Sequence, residues 1–406
     1  MSRRRTGQMS DIASGEEHGI GEYLASHGGP FFELQRRLGV LEEDALHAGK
    51  RAALFVALGW GVPLILSFLQ GHAFGPADGD PYLLDFSALA RFFIATGLFV
   101  LAEQQVEFGL RGKLGQFVRA PILAPESFEP ATAAVVKALR LRDSWSAEIV
   151  CFVMAVAAAL FWMTHLFGAD ESDWAVQVGA AGANITLAGW WSVICSVPLF
   201  NFLLYRGLWR YFVWGMLLWR IASLKLRLVA THPDGKAGLG FIAEYPNAYS
   251  MFVFGMSSAM AIIVVRHVFD KNISSVTFGY ILAGWLAIVV ALFAFPLLAF
   301  TKPLSELKEK SVQILGAQAT RYHRAQERAL IGKNVAANEA SEADQYENLP
   351  DPSVEFAASR KLSVFVLSRT AIGPLAGSAL VPFAIAGATK LPYKEVLALV
   401  KKLLVL

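Results

Sequence analysis

Residues 185–229 read ITLAGWWSVICSVPLFNFLLYRGLWRYFVWGMLLWRIASLKLRLV. The first part, Ile185 to Tyr205, carries no charge. An uncharged run of about 20 residues rises about 30 Å as a helix, the thickness of a bilayer's hydrocarbon. From Arg206 the apolar pattern continues, but Arg206, Arg210, Arg220, Lys225 and Arg227 are now interleaved with Trp209, Trp214, Trp219 and Leu224. The stretch predicts one long helix that leaves the membrane and runs on to about Val229. Trp190/Trp191 and Trp209 are expected at its two interfaces, roughly 18 residues or about 27 Å apart. Pro198 is expected to kink it.

Working outward, five more apolar runs appear, with Arg91 and Arg266 as their only charges: Ala52–Leu69, Ser87–Ala102, Ile149–Phe167, Tyr249–Val268 and Val276–Phe300. The composition agrees. The chain has 406 residues, of which 55% are hydrophobic and 17% charged. Soluble domains carry about 25% charged residues. The expected fold class is an all-α polytopic bundle with six spans and a seventh segment, Ala371–Ala388.

That last segment is short and holds Gly373, Pro374, Gly377, Pro382 and Gly387. It is read as a seventh crossing, with a re-entrant segment as the alternative. Gly373-x-x-x-Gly377 is a spacing that permits close helix contact.

Four regions follow from this. Residues 1–51 form an N-terminal part with an amphipathic helix from Pro30 to Asp44. Residues 52–301 hold six spans, with helical extensions at 104–147 and 206–246. Residues 302–370 hold an amphipathic helix after Pro303 and an acidic, Pro-containing loop. Residues 371–406 end in a further amphipathic helix carrying Lys394, Lys401 and Lys402. Arg3-Arg4 has no apolar stretch behind it, so no cleavable signal is expected.

Lys and Arg cluster before span one, between spans two and three, after span four and after span six, while the loops after spans one and three have none. The positive-inside rule then puts the N-terminus in the cytoplasm.

The sharpest motif follows the long helix: Thr231-His-Pro-Asp-Gly-Lys-Ala-Gly-Leu-Gly-Phe241. His232 and Asp234 could chelate a metal or work as acid and base. A helix-ending turn accounts for the same residues, with Gly238 and Gly240 giving tight backbone and Asp a cap. Gly238-x-Gly240-x-x-Ala243 is no dinucleotide fingerprint, since no strand precedes it.

Charges near span ends are few. Arg206 and Arg210 are expected to pair with Glu103 or Glu148, as structural ion pairs first and as part of a permeation path second. Asn201 could bond a neighbouring helix or line a cavity. His72, His165 and His267 all end odd-numbered spans, near Asp78, Asp80, Asp170, Asp173 and Asp270. A metal or proton site there is the sharper reading, and interfacial histidine is the plainer one. Cys151 and Cys195 lie in apolar runs and suit neither a disulfide framework nor a zinc site.

Arg206-x-Leu-Trp-Arg210, Leu-Trp-Arg220, His232-Pro-Asp-x-x-x-Gly-Leu-Gly-Phe241 and Gly29-Pro-Phe-Phe-x-Leu-Gln-Arg-Arg-Leu38 resemble an uncharacterised family of bacterial polytopic membrane proteins. The resemblance implies a bacterial inner-membrane location and brings no activity. No hydrolase, HExxH, paired-Cys or kinase pattern is present, so an enzyme is the least supported class. No cofactor and no nucleic acid is expected; the expected partners are the lipid bilayer, further copies in a homo-oligomer and a cytosolic protein. The leading function is a channel or small-solute transporter. The alternative is a non-transporting scaffold or signalling protein that docks a cytosolic partner.

Overall fold

A computed structural model describes residues 25–40, 46–74, 81–165, 174–179, 182–269, 275–337, 350–389 and 391–405. Among them are seven helices long and apolar enough to cross a membrane. The protein is an all-α integral membrane bundle.

A short helix α1 (Pro30–Arg37) precedes the first span. The spans begin with α2 (Ala48–Leu69) and α3 (Phe86–Arg119). A helix α4 (Phe128–Arg142) leads into the third, α5 (Trp145–His165). Then come α6 (Leu187–Ala222), α7 (Ser250–Phe269) and α8 (Ser275–Ala294). A long helix α9 (Thr301–Ile331) and a short α10 (Ser353–Lys361) lead to the last span, α11 (Arg369–Gly387), and to α12 (Tyr393–Val405). One hairpin, β1 (Val176–Gly179) with β2 (Gly182–Ile185), interrupts the all-α plan at the end where α5 stops and α6 starts.

Proline shapes three spans as its chemistry requires. It has no N–H for the carbonyl four residues back. In α2, Pro63 follows a wider-pitch turn at Ala57–Gly61. In α6, Pro198 follows another at Ser192–Ser196. In both, the carbonyl that the proline leaves without a donor falls inside the widened turn, where i→i+5 bonding can take it up. Pro296 ends α8, and residues Phe295–Phe300 tighten into a 3₁₀ turn before α9. Leu89–Ala95 of α3 is also widened, without any proline.

The long helix stops sooner than its pattern predicts. It ends at Ala222, and Ser223 caps it. The basic stretch beyond is extended and pairs with the chain after α3: Ala124 N–H donates to Lys225 O (3.2 Å), and Arg227 N–H donates to Ile122 O (2.7 Å). A tertiary partner for this backbone outweighs the weak helical preference of 223–229. Trp209 and Trp191 are fixed by hydrogen bonds to the carbonyls of Leu141 (3.2 Å) and Leu58 (2.8 Å), while Trp190 is exposed.

The last span is continuous, not re-entrant. α11 packs along α7 and α8. Its Gly387 meets Phe278, near the start of α8, and Leu399 of α12 meets Gly279. The N-terminal segment lies at the other end of the bundle, against Glu103 and Glu148. Residues 25–37 and α12 therefore sit at opposite ends of the bundle, which requires an odd number of crossings between them. Gly373 and Gly377 have open space where a side chain would be, so they make no close contact with the described residues.

Candidate functional site

Four spans bring charge to one place at the basic end of the bundle. Glu103 and Glu107 are four residues apart on α3. Arg206 and Arg210 are four apart on α6. That spacing puts each pair on one helix face. Arg51 in the first turn of α2 and Glu148 in the first turn of α5 complete the group. Arg51, Arg206 and Arg210 are all less than 9% exposed.

Glu103 is the hub. It pairs with Arg206, with Arg51 at 2.7 Å and with Arg210 at 3.9 Å. Arg206 Nε also donates to Glu148 (3.1 Å). Buried charges are tolerated only when paired and hydrogen-bonded; here Arg51, Arg206, Arg210, Glu103 and Glu148 have partners of opposite sign, and Glu107 has a backbone N–H and the His27 ring.

The remaining bonds of this cluster hold residues 25–37, a strap laid across the ends of the spans. Arg210 donates to Ser26 O (2.8 Å) and Gly28 O (3.0 Å). Glu107 accepts from Ser26 N–H (2.5 Å) and faces His27 Nδ1 at 2.8 Å. Glu148 accepts from Phe31 N–H (2.7 Å), and Arg51 Nε donates to Gln35 (2.6 Å). The Phe31 ring lies 5.1 Å under the Arg206 guanidinium and edge-on to Phe202 at 4.9 Å. Gly28 and Gly29 both have φ above +90°. A side chain on Gly29 would start 2.6 Å from Glu148 Oε1, and one on Gly28 would start 2.3 Å from Asp143. Only glycine admits this turn at this distance.

The expected pairing of Arg206 and Arg210 with Glu103 and Glu148 is thus present as geometry. Arg51, Glu107, Ser26 and His27 belong to the same site. The i, i+4 repeat in Glu103-x-x-x-Glu107 was the signal for one of them. The strap itself was visible only as an amphipathic helix, whose Leu34 and Leu38 stay exposed while Phe31 and Phe32 turn inward. Asn201 lies apart from the cluster. Its amide donates to Val197 O of its own helix (2.9 Å). Beside Glu103 and Arg210 lies a cavity of about 30 Å³, also lined by Ser26 and Tyr249. It has room for one or two waters.

Comparison with protein-family models, with curated proteins and with solved structures finds no match to this chain.

The His232–Phe241 loop is spent on itself. Asp234 accepts from the backbone N–H groups of Lys236 (2.8 Å), Gly238 (3.1 Å) and Gly240 (2.8 Å). His232 Nδ1 faces the same carboxylate at 2.8 Å. Gly238 has φ 93° and Gly240 has Asp234 against it, so both glycines serve the turn. The loop then anchors the segment after α10 through Ser363 N–H to Gly235 O (2.9 Å). A carboxylate with four donors aimed at it has little left for a metal.

Partial burial pushes the Asp234 carboxyl up, but the three backbone donors and His232 outweigh it and hold it below the usual carboxylate value. A lowered native pKa stabilises above the unfolded value of about 3.9. That contribution is lost as pH falls through the native pKa. The protection factors of the amides in 234–241, that is their exchange relative to the intrinsic rate at each pH, should therefore fall on acidification below the normal carboxylate range. Asp234→Asn should exchange fast already at neutral pH and show little of this dependence.

His72 ends α2 with its backbone N–H on Ser67 O (2.8 Å). His165 and His267 end α5 and α7 at the same end of the bundle, but their side chains, like Asp78, Asp80, Asp170, Asp173 and Asp270, lie outside the described residues. Among the described residues no group of three or more His, Cys, Asp or Glu is placed to hold a metal.

Proposed function

We propose that this integral membrane protein is a channel or small-solute transporter of a bacterial inner membrane, with a cytoplasmic N-terminus, whose inner mouth is closed by its own strap of residues 25–37. The observation that carries this reading is the clamp. Ionised groups buried among membrane spans are costly and are often functional. Here Glu103, Glu107, Glu148, Arg51, Arg206 and Arg210 converge from four spans. Most of their bonds go to a segment that is not itself a span. A segment tied by a handful of ion-assisted bonds, with glycine at its turn, can leave as a unit. It would uncover a ring of mixed charge at the first turns of α2 and α5. The resemblance of Gly29–Leu38, Arg206–Arg210 and His232–Phe241 to one bacterial membrane family supports the same location.

Flux in proteoliposomes tests it. The full chain should be nearly tight to monovalent ions and small neutral solutes. Deletion of residues 1–37, or Gly29→Val, should raise flux of at least one of them tenfold or more. If vesicles holding the released variants leak no faster than those holding the full chain, the transport reading is wrong.

A second reading, a scaffold that docks a cytosolic partner, is favoured by the small volume, about 30 Å³, of the cavity beside Glu103. In that case the exposed face of the His232 loop and α9 would form the docking surface. Capture of a partner that is lost on His232→Ala, together with tight vesicles, would support it. A homo-oligomer fits either reading.

A further inference from the structure

At the basic end, where α6 passes the break between α8 and α9, the bundle carries an open groove of about 520 Å³. Its walls include Phe212, Met216, Trp219, Phe295 and Pro296, and Arg220 lines it too. Phe212, Trp219 and Phe295 are exposed, so the groove opens on the outer surface of the bundle and not into its core. The break at Pro296 makes it. Straight helices would close this seam, but α8 ends at Ala294, and Gly215 leaves Pro296 with no side chain opposite.

The groove's depth follows from helix length. α8 crosses in 20 residues, about 30 Å and the thickness of the hydrocarbon, and Phe295 and Pro296 follow directly after it. Pro296, and Gly215 which packs on it, therefore lie at the boundary of the hydrocarbon at the basic end, with Arg220 five residues beyond Gly215. The aromatic wall Phe212–Trp219 then lies where acyl chains give way to headgroups, and Arg220 lies among the phosphates. No carboxylate lines the groove. Lys225, by contrast, is already paired with Glu126 at 2.9 Å. Ligand sites run from about 300 to 1,000 Å³, so the volume suits an acyl chain.

We propose that this groove binds an anionic phospholipid, with an acyl chain along Phe212, Met216 and Phe295 and the phosphate on Arg220. The inference is independent of any transport activity, because it rests on a different face of the bundle from the strap. Trp219 is a built-in reporter. The full chain is reconstituted in phosphatidylcholine vesicles that contain acyl-brominated phosphatidylglycerol or acyl-brominated phosphatidylcholine at equal mole fraction. The Trp219 signal is taken as the difference between the native chain and Trp219→Phe. Brominated phosphatidylglycerol should be preferred about fivefold, the weight of one cation at an anionic surface. Arg220→Gln should abolish the preference, and Arg220→Lys should keep most of it. Equal quenching by both lipids, a preference that survives in Arg220→Gln, or no Trp219 quenching at all would overturn the proposal. The last outcome would mean that a second copy or another protein covers the groove.

Discussion

Glu103→Ala is expected to lower stability by about 3–5 kcal/mol, the cost of breaking a buried ion pair from one side. The side chain is 12% exposed and serves Arg51 at 2.7 Å as well as Arg206. Its removal leaves Arg206 with Glu148 alone and Arg51 with the neutral amide of Gln35. The strap should loosen at the same time, because Ser26 and Gly28 are held by Arg210, which loses its nearest carboxylate. Two measurements check this in the detergent-solubilised chain. The first is the thermal midpoint, and the second is maleimide labelling of a cysteine placed at Ser26. Labelling should be slow in the native background and fast with Glu103→Ala. Glu103→Gln, which accepts hydrogen bonds but carries no charge, should fall between. The loss in Glu103→Ala/Arg206→Met should be smaller than the two single losses added together, since the second change removes one of the orphaned charges. An unchanged midpoint with an unlabelled strap would show that the cluster does not hold this segment.

The second large effect concerns the broken helix. Pro296 cannot donate to Leu292 O, and the 3₁₀ turn after it draws the next amide away from Phe293 O. Two buried tyrosines take these carbonyls: Tyr211 Oη donates to Leu292 O and Tyr245 Oη to Phe293 O. Tyr249 and Phe293 pack around them, with ring centroids 5.2 Å apart. A buried carbonyl left without a donor costs about 1–3 kcal/mol. Tyr211→Phe/Tyr245→Phe should therefore lose about 2–6 kcal/mol while changing almost no volume. Pro296→Ala supplies the missing N–H. It should cost stability in the native chain, because it straightens a seam that is packed as broken. In the Tyr211→Phe background it should cost less, or even stabilise. Equal effects of Pro296→Ala in both backgrounds, read from thermal midpoints, would mean that the hydroxyl and the proline are not coupled.

Much of the fold was legible because a membrane span is a local property. Length, apolar content and missing charge mark each one without reference to any other. That the helix would be irregular beside Pro63, Pro198 and Pro296 was legible too, since the lost N–H of each belongs to its own helix. The turn at His232–Phe241 was readable as a turn, because an Asp with glycines four and six residues on has its donors close in the chain. The features that misled were those whose backbone partners are remote. Residues 223–229 look helical in isolation, and they are extended because Ile122 and Ala124 offer them hydrogen bonds.

The opening stretch, 185–229, shows both sides. By itself it determined an uncharged crossing, a kink at Pro198 and two arginines on one face at Arg206 and Arg210. Only the tertiary structure decided what those arginines hold. Arg206 meets Glu103 and Glu148 across 103 and 58 positions, and Arg210 meets Ser26 across 184. Spacing along one helix states which face a charge occupies. Which partner faces it depends on how seven helices pack, and that is set by the shapes of all of them together.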